Sequence, residues 1–269
     1  MDNQKKDFSK YHTFAICAYG ESPFLEECIL SLISQSVTSK IIMSAPHSTP
    51  FLERIADKYD IPFYIRGGDP NIRDDWNFAY DHADTKYVTL AHQDDLYHSK
   101  FAEETLKCMA KYKKPLFCVT DYLPIRLVTL PFRDINCRIR HMLRSPLKIR
   151  ALSDKPFIKK NILRFGNSIC CPTVTYNKKA LGDTVFTSEL NYDIDWDTFY
   201  ILGQKEGSIA YVDKKLAYYR LHNGSTSKEF ITNHKRYRDD EVMFGKFWSP
   251  KTVDLIMKFY KKAYKNYDE

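Results

Sequence analysis

Along the first 120 residues, short apolar runs alternate with segments whose apolar residues recur every three or four positions. Residues 12–18 (HTFAICA) predict a buried strand. Ser22-Pro23 predicts a helix start, with Ser as cap and Pro at the first helical position. Phe24, Leu25, Cys28, Ile29, Leu32 and Ile33 then mark one buried helical face. Residues 40–44 (KIIMS) predict a second strand. Thr49-Pro50 opens a second helix, with a stripe of Leu52, Ile55, Ala56 and Tyr59. A third strand at 61–65, a Gly67-Gly68 loop and a helix from Asp74 to Ala83 follow. Residues 86–91 (KYVTLA) predict a fourth strand, ending in the polar turn from His92 to Tyr97. A helix over 99–112 and a strand over 115–120 complete the series.

This order predicts an α/β fold: one mostly parallel central sheet flanked by helices, with right-handed crossovers. Ligands of such sheets bind beyond the carboxyl ends of the strands, which is where His92-Gln93-Asp94-Asp95 falls. After residue 120 the alternation stops. Residues 121–165 are basic and irregular, with helix predicted around 135–145. Residues 167–176 read as a strand interrupted at Pro172, 195–206 as helix, and 209–212 and 216–220 as extended. The last forty residues read as helices broken near Ser249-Pro250. The expected organisation is a nucleotide-binding half over 1–120, an acceptor-binding and catalytic half over 121–228, and a helical extension over 229–269.

Composition narrows the class. The chain has 269 residues, 43% apolar and 28% charged, which suits a globular protein with a substantial core. Its seven cysteines include no Cys-x-x-Cys pair, so a zinc ribbon is excluded and reduced, buried thiols are expected. No apolar run reaches the roughly 18 residues of a membrane span, and the polar Met1–Lys10 start lacks an apolar signal core. A cytoplasmic location is expected, with peripheral contact at the inner face of a membrane. Between Arg126 and Arg164 lie eleven Lys or Arg and only Asp134 and Asp154 as acids, a surplus larger than the chain's net +7. Such a stretch suits an anionic partner. Ile135, Ile139, Met142 and Leu143 form one stripe flanked by Arg138, Arg140, His141 and Arg144. The stripe can lie on anionic lipid or close an acceptor pocket.

Three segments carry candidate chemistry. Adjacent carboxylates such as Asp94-Asp95 repel, and suit a cleft where Mg2+ or Mn2+ sits between them and a diphosphate. An Asp before a helix is also a common cap, and from this turn alone both readings stand. Asp193-Ile194-Asp195-Trp196-Asp197 opens a helix. Asp195 can serve there as a general base, with Trp196 as a flat face for a sugar ring, or the acids can simply favour the helix start. In Tyr219-Arg220-Leu221-His222, Arg and His point to one face of an extended segment. That pair suits a phosphate clamp with His as metal ligand, or two solvated residues.

Taken in order, these segments resemble the inverting glycosyltransferases of family 2, which have the GT-A fold. The resemblance spans about residues 12–227. It implies nucleotide contacts from Ala18, Tyr19 and Glu21 at the end of the first strand, from Ser44 after the second, and from Trp76 and Asn77. It implies a metal site at Asp94, with His222 as a further ligand and Arg220 on the diphosphate. It implies a catalytic base at Asp195. The chain departs from the family pattern in three places: His92 replaces the first metal-motif Asp, Ser44-Ala45-Pro46-His47-Ser48 lacks the usual base-contacting Asp, and Ile194 stands where a Glu is common. Asp193 is a rival base. The expected donor is a nucleotide diphosphate sugar, UDP-linked by the family's habit, and the expected acceptor a saccharide or lipid-linked sugar of a cell-surface polysaccharide. A nucleotidyltransferase acting on sugar phosphates is the first rival, disfavoured by the lack of a Gly-rich, Lys-containing loop after the first strand. A nucleic-acid-binding module using 126–164 is the second. That stretch holds only Phe132 and Phe157 as aromatics and no reading motif, so no nucleic-acid partner is expected.

Overall fold

The computed structural model describes residues 5–126, 135–222 and 235–265. An eight-stranded sheet forms the centre. In chain order, β1 (Lys6–Asp7) and β3 (Val37–Thr38) make a small parallel pair outside it. The central strands are β2 (His12–Cys17), β4 (Lys40–Ala45), β5 (Phe63–Ile65), β6 (Tyr87–His92), β7 (Leu96–Tyr97), β8 (Pro115–Ile125), β9 (Val174–Asn177) and β10 (Ser208–Arg220). Their spatial order is β5-β4-β2-β6-β9-β8-β10-β7. The pairs β5/β4, β4/β2, β2/β6 and β8/β10 are parallel, while β9 and β7 run antiparallel to their neighbours.

Helices cover both faces. Successive strand residues point to opposite sides, so Phe14 and Ile16 pack with α1 (Leu25–Ile33), α2 (Pro50–Tyr59) and α4 (Phe101–Met109). Ala15 faces the other layer, built from α3 (Ile72–His82) and α8 (Ile194–Gln204), with Met243, Phe244, Val253 and Met257 of the C-terminal helices. Local chemistry sets the helix starts. The Thr49 hydroxyl accepts from the Leu52 N–H at 3.2 Å ahead of Pro50, and the Asn71 side chain accepts from Asp74 N–H at 3.1 Å. Ser22 departs from the expected cap: α1 begins at Leu25, and the Ser22 hydroxyl donates to Asp94 while it accepts from Phe24 N–H at 3.3 Å.

Beyond β8 come α5 (Ile135–Arg144), α6 (Pro156–Asn161) and α7 (Lys178–Leu181), with short 3-10 turns between the first two. The strand expected over 167–176 is a 3-10 turn at Cys171–Thr173 followed by β9, because Pro172 cannot donate to a ladder. The two extended segments expected at 209–212 and 216–220 are one strand with bulges. Gly207 immediately precedes that strand; its φ is +135° and an added Cβ would meet Lys114 O at 2.7 Å. The C-terminal helices are α9 (Lys235–Gly245) and α10 (Pro250–Lys265). No disulfide joins the cysteines, five of which are buried. No helix among the described residues is long and apolar enough to cross a membrane.

Candidate active site

The sheet brings the turn after β6 against the end of β10. The short β7 pairs Leu96 with Tyr218, which carries residues 93–95 back over Arg220. Gln93 fastens this turn to the loop after β2: its Oε1 accepts from Tyr19 N–H at 2.9 Å and its Nε2 donates to Tyr19 O at 3.0 Å. Gly20, at φ +60°, lets that loop reverse. Ala18 N–H donates to Ser44 O at 2.8 Å, so Ala18, Tyr19 and Ser44 meet at the neighbouring ends of β2 and β4. Tyr19 and Glu21 are exposed, while Ala18 and Ser44 are buried.

Asp94 and Asp95 turn to different partners, which corrects the expectation that both carboxylates of the pair face one cation and a diphosphate. Asp94 Oδ1 accepts from the Ser22 hydroxyl at 2.6 Å, and its Oδ2 lies 3.2 Å from His222 Nε2. Asp95 turns inward. Its Oδ1 accepts the Arg220 N–H at 2.9 Å, and its Oδ2 is buried with no hydrogen bond. Burial pushes the Asp95 carboxyl up to about 8, against the Arg220 N–H, which favours the charged form. Asp95 therefore belongs to the scaffold.

Arg220 and His222 share one face, as the alternation predicts. Both pack on Phe24, the guanidinium 4.3 Å and the imidazole 5.0 Å from its ring centroid. Arg220 differs from an exposed phosphate clamp. Its side chain is fully buried, donating to Asp94 O at 2.9 Å and to Glu27 Oε2 at 2.6 Å. It grips the backbone of the turn from behind. His222 Nε2 is buried and makes no aligned hydrogen bond, despite its closeness to Asp94.

A second wall comes from α3. Trp76 stacks on His92 at 5.2 Å, and burial lowers the His92 imidazole to about 4, so the ring is neutral at pH 7. Asn77 spends its amide on the chain: Nδ2 donates to Phe186 O at 2.7 Å, and Oδ1 accepts from Val185 and Phe186 N–H. This holds Phe186 edge-on against Trp76 at 5.1 Å.

At the start of α8, residues two apart lie about 200° apart around the helix and residues four apart about 40°, so Asp195 points away from Asp193 and Asp197. Asp193 is buried toward α9, and burial together with Asp240 pushes its carboxyl well up. Asp197 is buried and takes the Ser188 hydroxyl and the Lys246 ammonium. Asp195 is half-buried, accepting from Trp196 N–H and Asn167 Nδ2, each at 2.8 Å. Burial raises it to about 6; the Trp196 N–H, Arg140, Arg236 and Asn167 oppose the rise. Trp196 corrects the expectation of a sugar platform. It is 1% exposed, donates to Leu163 O at 3.0 Å, and packs on Phe244 and Phe247. Cys170 is buried, and burial, with the charges of Asp95 and Asp195, pushes its thiol well up.

Another group of ligating atoms, on Asp121, His141 and Asp213, falls within 4.8 Å. Its carboxylates are already matched by cations, Arg144 at 2.5 Å on Asp121 and Lys148 at 2.7 Å on Asp213. The cluster is an ion-pair network that fastens α5 to the sheet.

Ser22, Glu27, Gln93 and Asn167, which hold the candidate site residues, were not expected from the sequence. From the sequence Ser22 reads as a helix cap, and Gln93 stands inside the acidic turn.

A mostly parallel sheet with an acidic turn at its strand ends and a half-buried carboxylate at the start of α8 suits a nucleotide-sugar enzyme of the GT-A fold. The chain belongs to glycosyl transferase family 2, whose family model matches residues 13–183. No curated protein sequence matches it. Among solved structures, the fold is similar to that of Staphylococcus aureus TarS 1–349 in complex with UDP-GlcNAc (15% identity, TM-score 0.58, covering 92% of this chain and 70% of that one). It is also similar to the mannosyltransferase PcManGT of Pyrobaculum calidifontis in complex with GDP-Man and Mn2+ (13% identity, TM-score 0.63, 93% and 68% covered). A third similar structure is glucosyl-3-phosphoglycerate synthase of Mycobacterium tuberculosis with Mn2+ and UDP-glucose (14% identity, TM-score 0.52, 86% and 77% covered).

Proposed function

We propose that the protein is an inverting, metal-dependent glycosyltransferase. It moves a sugar from a nucleotide diphosphate sugar, with a UDP-sugar as first choice, to a hydroxyl of a saccharide or lipid-linked acceptor in cell-surface polysaccharide synthesis. The observation that carries this reading is the approach of His222 Nε2 to within 3.2 Å of Asp94 Oδ2 at the strand ends, together with the half-buried Asp195 at the start of α8. Residues 1–120 supply the donor side, with Ala18, Tyr19, Glu21, Ser44 and Trp76 around the nucleotide. Asn77 and Arg220 act through the segments they hold. Residues 121–228 supply the acceptor side, and Phe244 of α9 packs on Trp196 of α8.

Asp94 and His222 fit a divalent ion. Ligand atoms at about 2.1 Å on adjacent corners of an octahedral ion stand about 3 Å apart, and Oδ2 and Nε2 stand at 3.2 Å without a hydrogen bond between them. Mg2+ or Mn2+ would supply neutralisation of the departing diphosphate. PcManGT and the mycobacterial synthase, both with Mn2+, support that choice. Asp195 takes the acceptor proton as the acceptor oxygen attacks the anomeric carbon opposite the leaving diphosphate. One displacement inverts the configuration with no covalent sugar–enzyme intermediate.

Peripheral contact with an anionic membrane is part of this reading. On α5, Ile135 is 70%, Ile139 44% and Met142 64% exposed, with Arg138, Lys148 and Arg150 exposed nearby. The expectation that Arg140, His141 and Arg144 flank this face toward lipid is corrected: they point to Tyr122 and Asp121 instead. The helix thus closes over the acceptor side with its cations inward while its apolar stripe faces out.

The test is incubation with a panel of nucleotide sugars, with Mn2+ or with EDTA. Release of the nucleoside diphosphate from one donor, lost in EDTA, is expected. No turnover or binding of any donor would overturn the reading.

A further inference from the structure

Beside Asp195 the protein keeps a positive charge that no acid of its own matches at close range. Arg140 lies one turn before Arg144 on α5, so both guanidinium groups leave the same face of the helix. The Arg144 side chain is buried and spent on Asp121 at 2.5 Å and on the carbonyl of Ser168. The neighbour of Ser168, Asn167, donates to Asp195 Oδ2 at 2.8 Å. One two-residue stretch thus ties this face of α5 to the candidate base, and Arg140 lies within electrostatic reach of Asp195.

Two arginines flank Asp195, and they differ. Arg236 has an acid of its own. Its Nε lies 3.4 Å from Asp240, while NH1 donates to the Tyr192 hydroxyl at 2.9 Å. Arg140 NH1 donates to the Tyr122 hydroxyl at 2.9 Å, a partner that holds the group without neutralising it. No described carboxylate lies within ion-pair distance of Arg140, whose side chain is half-buried. Asp195, already engaged by Asn167 and the Trp196 N–H, is no close counter-ion. A partly desolvated guanidinium is costly to keep unmatched, and its planar fork suits an oxyanion.

We propose that Arg140 forms an anionic subsite of the acceptor pocket, which binds a phosphate or carboxylate group that the acceptor carries near its attacking hydroxyl. The proposal rests on the transferase reading above and specifies its substrate: the acceptor is a charged saccharide, not a neutral one. Tyr122 orients the guanidinium from behind, and α5 forms the roof over the bound group.

Two measurements test this. The first is calorimetric titration of the whole chain with inorganic phosphate in metal-free buffer. Loss of a charge-assisted contact of this kind lowers affinity by about 10- to 100-fold. That loss is expected in Arg140→Gln, with partial recovery in Arg140→Lys and none in the control Arg138→Gln on the exposed side of α5. The second compares glycosyl phosphates, uronic acid glycosides and neutral glycosides as acceptors. The preference in kcat/KM for a charged over a neutral acceptor is expected to fall by a similar factor in Arg140→Gln. The phosphate and carboxylate arms identify which anion is read. Equal phosphate affinity in Arg140→Gln and wild type overturns the proposal. So does a shift in the acid limb of kcat shared by charged and neutral acceptors with KM unmoved, because Arg140 would then only keep Asp195 ionised. If no donor is turned over, the transferase reading fails, and the phosphate titration still decides the subsite by itself.

Discussion

The Nε2 atom of His222 stands 3.2 Å from Oδ2 of Asp94, although the two residues come from opposite ends of the catalytic region. Their approach depends on Arg220, which grips the Asp94 carbonyl, and on Asp95, which accepts the Arg220 N–H. One carboxylate of an adjacent pair is thereby turned toward His222 and the other is locked against Arg220.

Asp94→Asn is expected to weaken metal-dependent donor binding about 100-fold or more, seen by calorimetry with Mn2+ and the donor, while circular dichroism stays native. Asp95→Asn is expected to keep donor binding within a few-fold, because an amide oxygen still accepts the Arg220 N–H. The reverse ranking would show that the turn presents the other carboxylate.

Asp95 also predicts a pH effect on stability. Its folded pKa is raised to about 8 from 3.8, so between those values the folded state holds a proton that the unfolded chain releases. Its contribution therefore declines as pH rises through that window. Relative to wild type, Asp95→Asn gains thermal stability at pH 8 compared with pH 5. A constant difference in Tm across the range would mean that Asp95 is ionised throughout.

Asp195→Asn is expected to lower turnover by about 10²- to 10⁴-fold with donor affinity retained, whereas Asp193→Asn, altered in a carboxyl buried toward α9, leaves turnover within an order of magnitude. A base must be deprotonated to act, and Asp195 is raised to about 6, so kcat/KM falls as pH drops through that value. A pH–rate profile flat down to pH 5 removes Asp195 from the role.

Trp196→Ala is expected to cost about 3–5 kcal/mol of stability. The side chain is buried against Phe244 and Phe247, and its N–H is satisfied by Leu163. Chemical denaturation measures this, and near-wild-type stability combined with a raised acceptor KM would restore the sugar-platform role.

Vesicle co-sedimentation tests the outer face of α5. Binding to anionic but not neutral vesicles is expected, weakened by high salt and by Ile139→Ser with Met142→Ser, since each nearby cation adds about 1 kcal/mol at such a surface. Equal, negligible sedimentation with both vesicle types would limit α5 to closing the acceptor side.

The alternation of apolar runs and helical stripes was enough to place β2, β4, β5, β6 and α1 to α4 in order, because strands buried on both faces must be apolar throughout and helices that cover them need one apolar face. It was also enough to put the acidic turn at a strand end and Asp195 at a helix start, since both positions follow from local periodicity. Tertiary structure decided what those side chains face. Asp94 and Asp95 are chemically alike, and only the pairing of β7 with β10 turns one to His222 and the other to Arg220. Trp196 stands beside the candidate base in sequence, yet a neighbour on a helix points about 100° away, here into the core. Likewise Arg144 is hidden on Asp121 and Arg140 turns to Tyr122, because only the packing of α5 on β8 determines which side of an amphipathic pattern meets protein and which meets solvent.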